Sequence, residues 1–93
     1  MKLTKTTVNY AKRRNIDFCV ELDLEVVMIF VAGEDEPFLI YNLKETGCDE
    51  YELTFKCHVY GDKIEDLPYW INDNKKLNET IDYLAEYIKG GSV

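Results

Sequence analysis

The sequence predicts an α+β fold, an antiparallel sheet of three or four strands with one N-terminal helix and two C-terminal helices. Between residues 16 and 60, apolar and polar residues alternate with period two, interrupted by short turn-forming segments. Near the C-terminus, apolar residues recur at helical spacing. A chain of 93 residues without a linker-like segment forms one domain, residues 1–93. Helices packed on one face of such a sheet leave the other face free.

The first predicted element is a basic helix within residues 1–15. Thr6 stands near its start, and Lys12, Arg13 and Arg14 fall in its last turn. Cations are favourable there because the carbonyl end of a helix carries partial negative charge.

An acidic antiparallel sheet is predicted over residues 16–60. From Ile16 to Leu24 apolar residues alternate with polar ones, which indicates a half-buried strand. Residues 26–31 are apolar on both faces, as in a central strand. No Gly or Pro separates the two segments. Either one long bent strand or a tight turn at residues 22–25 satisfies the pattern, and typical strand lengths favour a bend or turn there.

Two further strands follow. The turn at 33–37 precedes a strand over residues 38–43, and a second turn at 44–49 precedes a strand over residues 50–60. Strict alternation in the last strand would place Cys57 in the apolar row and His58 on the opposite, exposed side. The short turns imply hairpins.

Residues 62–90 are predicted to form the two C-terminal helices. The first covers residues 62–72, with Asp66 as a cap before Pro68. The second is capped by Asn74, ends at Gly90 and leaves residues 91–93 as a tail. It carries an apolar stripe at helical spacing, formed by Leu77, Ile81, Leu84, Ala85 and Ile88.

Charge is the most informative feature for function. The net charge is −7, yet residues 1–14 hold five bases and no acid, whereas residues 15–73 hold fifteen acids and three bases. The acidic middle would repel phosphate, so the sequence argues against direct nucleic-acid binding. The basic N-terminal segment would either contact phosphate or neutralise the acidic sheet of its own fold.

The sequence predicts a protein that is not an enzyme and that uses no cofactor and no metal. The five glycines form no phosphate-binding loop, and the three cysteines with the single histidine lack zinc-ligand spacing. The longest apolar run, residues 26–32, is too short to span a membrane, and the N-terminus lacks the apolar stretch of a signal peptide. We therefore expect a cytoplasmic protein without membrane contact.

Rows of carboxylates suggest the partner. Glu21, Asp23 and Glu25 are spaced by two, so on one strand they would point the same way, about 6.7 Å apart. Neighbouring phosphates of a DNA strand lie about 7 Å apart along the helical path. The same acidic field would include a second short row and one turn, formed by Glu50, Glu52, Glu34, Asp35 and Glu36.

In size, strong negative charge, tyrosine content and predicted sheet-and-helix composition, the whole chain resembles the small acidic phage-encoded proteins that mimic DNA. The resemblance implies an inhibitor acting in the host cytoplasm, which blocks a basic DNA- or RNA-binding protein such as a nucleoid protein or a nuclease. Electrostatic steering would speed that encounter.

The aromatic residues support an alternative. Seven tyrosines and one tryptophan are more than so small a core buries, and both residue types are enriched at protein interfaces. Tyr41, Tyr51 and Tyr60 are the predicted aromatic anchors of the binding surface. The alternative is a small interaction module, antitoxin-like or a regulatory subunit. Tyr83 and Tyr87, one helical turn apart, would also suit a homodimer seam.

Overall fold

The structure, a computed structural model, describes residues 1–59, 64 and 67–91. Seven elements follow in chain order: α1 (Lys5–Lys12), β1 (Ile16–Glu21), β2 (Val26–Val31), β3 (Leu39–Gly47), β4 (Glu50–His58), β5 (Trp70–Ile71) and α2 (Asn74–Gly91). The strands form one antiparallel sheet in the order β1-β2-β3-β4-β5. The α+β class and the antiparallel sheet are confirmed. The strand count is five, against the three or four predicted.

A turn over residues 22–25 separates β1 from β2, which is one of the two alternatives that the sequence left open. The Glu25 amide donates to the Leu22 carbonyl at 3.2 Å. Glu25 itself has a φ of 55°, a left-handed conformation that redirects the chain without glycine. The absence of Gly and Pro therefore concealed the turn.

The prediction of a first C-terminal helix is wrong for residues 67–72, which are not helical. Trp70 pairs with Thr54 and Ile71 with Leu53, so β5 extends the sheet beside β4. The Phe55 amide donates to the Tyr69 carbonyl at 2.7 Å. Pro68 lacks an amide hydrogen and disfavours helix before it, whereas the margin of β4 offers unpaired backbone groups. Residues 62, 63, 65 and 66, including the predicted Asp66 cap, lie outside the described residues.

The predicted stripe of α2 is confirmed, since Leu77, Ile81 and Leu84 are fully buried. The predicted cap is wrong by one residue. Asp73 caps the helix, because its Oδ1 accepts the Lys76 amide hydrogen at 2.6 Å. The helix also continues through residue 91 rather than ending at 90. Among the described residues α2 is the one helix that follows the sheet.

The hydrophobic core lies between one face of the sheet and the two helices. Paired residues on neighbouring strands share a face, so the cross-strand pairs Val27–Tyr41 and Leu43–Leu53 belong to this side. All four side chains are buried. The remaining core residues from the strands and helices are Ala11, Ile16, Ile29, Leu39, Ile71, Leu77, Ile81 and Leu84.

A β-bulge changes the side on which the end of β4 points its side chains. Tyr41 pairs with Phe55 but Ile40 pairs with Cys57, so Lys56 is the extra residue. The prediction for Cys57 and His58 is therefore wrong: Cys57 turns away from the core, and His58 turns toward it. The His58 Nε2 accepts the Ile64 amide hydrogen at 3.0 Å, and its ring lies 5.0 Å from that of Phe55.

The N-terminal residue extends the outer margin of the sheet. The Met1 ammonium donates to the carbonyl oxygens of Tyr51 at 2.8 Å and Asn72 at 3.3 Å, and it lies 3.2 Å from a Glu50 carboxylate oxygen. The Tyr51 amide in turn donates to the Met1 carbonyl at 2.8 Å. Met1 is 8% exposed, so it also contributes its side chain to the core. No sequence pattern indicated this contact.

Candidate protein-binding surface

The second face of the sheet, called the open face below, has no helix packed on it among the described residues. Strand pairing and alternation assign its members. They are Asp17, Cys19, Glu21, Val26, Met28, Phe30, Ile40, Asn42, Lys44, Glu52, Thr54, Cys57 and Trp70. Both helices instead contribute to the core on the opposite side.

An apolar row crosses the middle of the open face. Cys19 of β1 pairs with Met28, Met28 with Ile40, and Ile40 with Cys57. Strands lie about 4.8 Å apart, so the row is about 14 Å long. All four side chains are partly exposed, as is the neighbouring Phe30. The sequence correctly marked residues 26–31 as apolar on both faces and internal to the sheet, but only one of those faces is covered.

Trp70 lies at the β5 margin of the open face and is 46% exposed. Its Nε1 hydrogen is donated to Glu52 Oε2 at 3.0 Å, and Lys44 Nζ lies 3.9 Å from the other oxygen of that carboxylate. This contact holds the indole at the surface while satisfying its polar group. Sequence reasoning included Trp70 among the aromatic residues but did not select it as an anchor.

The acidic residues of β1 border the apolar row. Asp17 pairs with Phe30 and Glu21 with Val26, so both carboxylates lie on the open face. The Cys19 thiol donates to Glu21 Oε1 at 3.3 Å. This hydrogen bond, with a smaller contribution from burial, raises the pKa of Cys19. A raised pKa favours the protonated thiol over the more nucleophilic thiolate.

The predicted carboxylate row does not form along a strand. Glu21 is the last residue of β1, while Asp23 and Glu25 lie in the turn over residues 22–25. Side chains alternate between faces only within the strand. The regular distance between Glu21, Asp23 and Glu25 that would match DNA phosphates is therefore lost. Glu50 and Glu52 do follow one another on the same side of β4.

The acidic residues 34–36 lie at the opposite end of the sheet from the turn over residues 22–25, because β2 connects the two. Six residues of strand separate these groups by about 20 Å. Within the described part of the chain, the carboxylates of both groups form no ion pair. The structure therefore keeps the negative potential but divides it between two ends.

None of the five basic side chains of residues 1–14 forms an ion pair with a described carboxylate of the sheet. Arg14 Nε lies 2.8 Å from Asp82 Oδ1 of α2, and its guanidinium lies 3.7 Å from the centre of the Tyr10 ring. The Tyr10 hydroxyl donates to the same Asp82 carboxylate at 2.8 Å. Lys12 and Arg13 form no ion pair with any described residue. The contacts of Tyr10 and Arg14 with Asp82 thus connect the N-terminal segment to α2.

The three predicted aromatic anchors differ in their exposure. Tyr41 is fully buried, so its selection as a surface anchor is wrong. Burial also raises the pKa of its hydroxyl. Tyr51 is partly exposed, and Tyr60 lies outside the described residues. Tyr69, 69% exposed, was not selected because the sequence does not distinguish exposed from buried tyrosines.

A groove of about 770 Å³ adjoins the open face between the turn over residues 22–25 and the β3–β4 hairpin. Leu22 and Leu24 lie on one side of it and are 59% and 68% exposed. Glu25, Tyr51 and the open-face residue Thr54 also line it. The structure thus brings one predicted acid and one predicted aromatic anchor to the same groove.

The described residues contain no cluster suited to hold a metal ion. No three His, Cys, Asp or Glu side chains there lie close enough to hold a metal ion, and the three cysteines are free thiols. Neither described helix has the length and hydropathy needed to cross a bilayer. Comparison with protein-family models, curated proteins and solved structures finds no match to this chain.

Proposed function

We propose that the protein is a non-enzymatic binding module that docks a basic protein on its open face. The observation that supports this most directly is the side of β2 opposite the core, where the partly exposed Met28 and Phe30 belong to an internal strand and have no described helix packed on them. Contiguous apolar surface on a small protein marks an interaction site.

The surroundings of the row specify the partner's charge. Asp17 and Glu21 border it on β1, and the net charge of the chain is −7. An apolar centre with a charged rim is the usual anatomy of a protein interface. A complementary partner offers apolar side chains flanked by lysine or arginine. Trp70, partly exposed at the far margin, is suited to act as an anchor.

DNA mimicry is the second candidate. It is favoured by the carboxylates of residues 23, 25 and 34–36, which form no ion pair with any residue that the structure describes. In that case the protein inhibits a nucleic-acid-binding partner by occupying its DNA site. The two candidates differ in which residues supply the binding energy. Docking on the open face depends on the apolar row, whereas mimicry depends on the two acidic ends.

The test is affinity capture with three immobilised forms of the chain: wild type, Met28→Lys and the control Asn9→Lys. Both variants add one positive charge, but Met28 lies on the open face and Asn9 is an exposed residue of α1. Bacterial lysate is applied at low salt and eluted with a salt gradient, with and without duplex DNA.

We expect one basic protein on wild type and on Asn9→Lys but not on Met28→Lys. Equal retention by all three forms would contradict docking on the open face. Displacement of the retained protein by DNA identifies mimicry, and retention despite DNA identifies an interaction outside the partner's nucleic-acid site. Circular dichroism of each variant establishes that it is folded.

A further inference from the structure

The two edges of the sheet differ in whether another segment pairs with them. The outer side of β4 is covered by β5, and Met1 continues that coverage through hydrogen bonds in both directions with Tyr51. On the other margin, no described residue pairs with the outer side of β1. An edge strand exposes unpaired backbone donors and acceptors, which are a template for another strand.

The register identifies the outward groups of β1. The Ala32 amide donates to the Asn15 carbonyl at 2.9 Å, so residue 15 directs its backbone toward β2. Antiparallel strands alternate this direction, so Asp17, Cys19 and Glu21 also face β2. The N–H and C=O groups of the even residues 16, 18 and 20 therefore point outward.

Strand β1 lacks most of the usual protection of an exposed edge. Natural edges are blunted by proline, by charged side chains, above all lysine, by a bulge or by a very short strand. The six residues Ile16–Glu21 contain neither proline nor lysine, and the register shifts of the sheet lie in the β3–β4 pairing. The two charged side chains of β1, Asp17 and Glu21, are on the open face. Phe18 and Val20 on the core side are partly exposed, so a pairing strand would cover apolar surface as well.

We propose that β1 pairs antiparallel with β1 of a second copy, joining two five-stranded sheets edge to edge. The outward residues are symmetric about Phe18, so Phe18 pairs with itself and Ile16 with Val20 of the second copy. Asp17 then faces Cys19 of the second copy, and Glu21 faces its Asn15. No two carboxylates stand directly opposite each other, so the strand is its own complement in shape and hydrogen bonding.

This interface is separate from the proposed function because it uses the edge of the sheet and leaves the open face accessible. The two also respond oppositely to salt. Two copies of charge −7 repel each other, so screening strengthens the dimer. Screening weakens docking of a basic partner. Failure of one proposal is thus distinguishable from failure of the other.

Sedimentation equilibrium on wild type, Val20→Pro and Val20→Thr tests the proposal. Proline at 20 removes an outward amide without touching the β1–β2 hydrogen bonds, and threonine keeps that amide. We expect wild type and Val20→Thr to dimerise more strongly at high salt, and folded Val20→Pro to be monomeric. A wild type that stays monomeric up to its solubility limit overturns the proposal, as does a dimeric Val20→Pro.

Cross-linking tests the register even if Val20→Pro fails to fold. Residue 17 and Cys19 of the second copy would form a non-hydrogen-bonded pair with Cα atoms about 4.5 Å apart, within disulfide reach. In a Cys48→Ser background, Asp17→Cys is incubated with oxidised glutathione, which accepts two electrons and two protons per disulfide formed. We expect a covalent dimer from Asp17→Cys and none from the control Asp17→Ser. Equal yields from both overturn the register.

Discussion

The hydroxyl of the fully buried Tyr41 donates to the Pro68 carbonyl at 2.8 Å and so ties the middle of β3 to the segment before β5. The same ring meets Phe55 edge to face, with centres 5.5 Å apart. Tyr41 is therefore a structural residue, and its loss should act on stability rather than on partner binding.

Tyr41→Phe keeps the ring and deletes the donor. We expect a loss of about 1 kcal/mol in unfolding free energy, because the partly buried Pro68 carbonyl loses its partner. Urea denaturation measures the loss as a lower midpoint at unchanged slope. The control is Tyr69→Phe, whose exposed ring should leave the midpoint unchanged. Equal midpoints for both variants would show that the hydrogen bond from Tyr41 to Pro68 does not stabilise the fold.

Two glycines form a matched pair. Gly33 has a φ of 90°, and a Cβ added there would have no atom within 4 Å, so Gly33→Ala meets backbone strain alone. We expect Gly33→Ala to lower the free energy of unfolding by about 1 kcal/mol.

Gly47 lacks a positive φ, and an added Cβ would lie 3.7 Å from the Glu50 Cβ, an ordinary contact. Gly47→Ala should change stability by less than about 0.5 kcal/mol. Thermal unfolding of both variants checks the difference, and a larger loss at 47 would contradict it.

The Tyr10–Asp82 contact predicts a dependence on alkaline pH. Asp82 accepts the hydrogen bond of the Tyr10 hydroxyl and thereby raises the pKa of Tyr10. Burial adds to this rise, whereas the nearby charge of Arg14 opposes it. The stabilisation is fully present below the unfolded pKa of about 10 and disappears as pH rises through the higher folded value. Wild type should therefore exceed Tyr10→Phe in stability at neutral pH, with the gap closing above pH about 10. Urea titrations across this range measure it, and a gap independent of pH would refute the linkage.

Trp70 is the single tryptophan and lies on the open face, so its fluorescence reports docking there. A partner that covers the indole should shift its emission to shorter wavelength, since water is removed from its surroundings. Titration of the captured basic protein into wild type measures the shift. Lys5→Gln, a change in α1 on the other side of the sheet, should preserve it. Binding with unchanged emission would place the partner elsewhere.

Several features of the fold were predictable from local pattern. Alternation from Ile16 marked the first strand, and the spacing of Leu77, Ile81 and Leu84 marked the buried side of α2. Each periodicity arises because one face of the segment is buried and the other is exposed to solvent, and apolar and polar residue types follow that difference. The turn over residues 22–25 was only one of two options, because a left-handed Glu25 takes the place of the usual glycine.

The candidate site was predictable in character but not in geometry. Composition indicated an acidic, aromatic protein with one sheet face free, whereas the location of each acid depended on where strands end. Asp23 and Glu25 fall in a turn, and Tyr41 falls in the core. A one-residue change in register moves a side chain to the other face, so a pattern alone could not assign these positions.

By itself, the sequence determined the α+β class, the apolar periodicities and the negative charge, because each follows from residue types within one segment. Tertiary structure alone decided the bulge at Lys56, the pairing of Trp70 with Thr54 and the contact of Met1 with Tyr51. These arise from backbone hydrogen bonds between distant segments. Every residue except proline carries the same backbone donor and acceptor, so their pairing leaves little trace in the order of side chains.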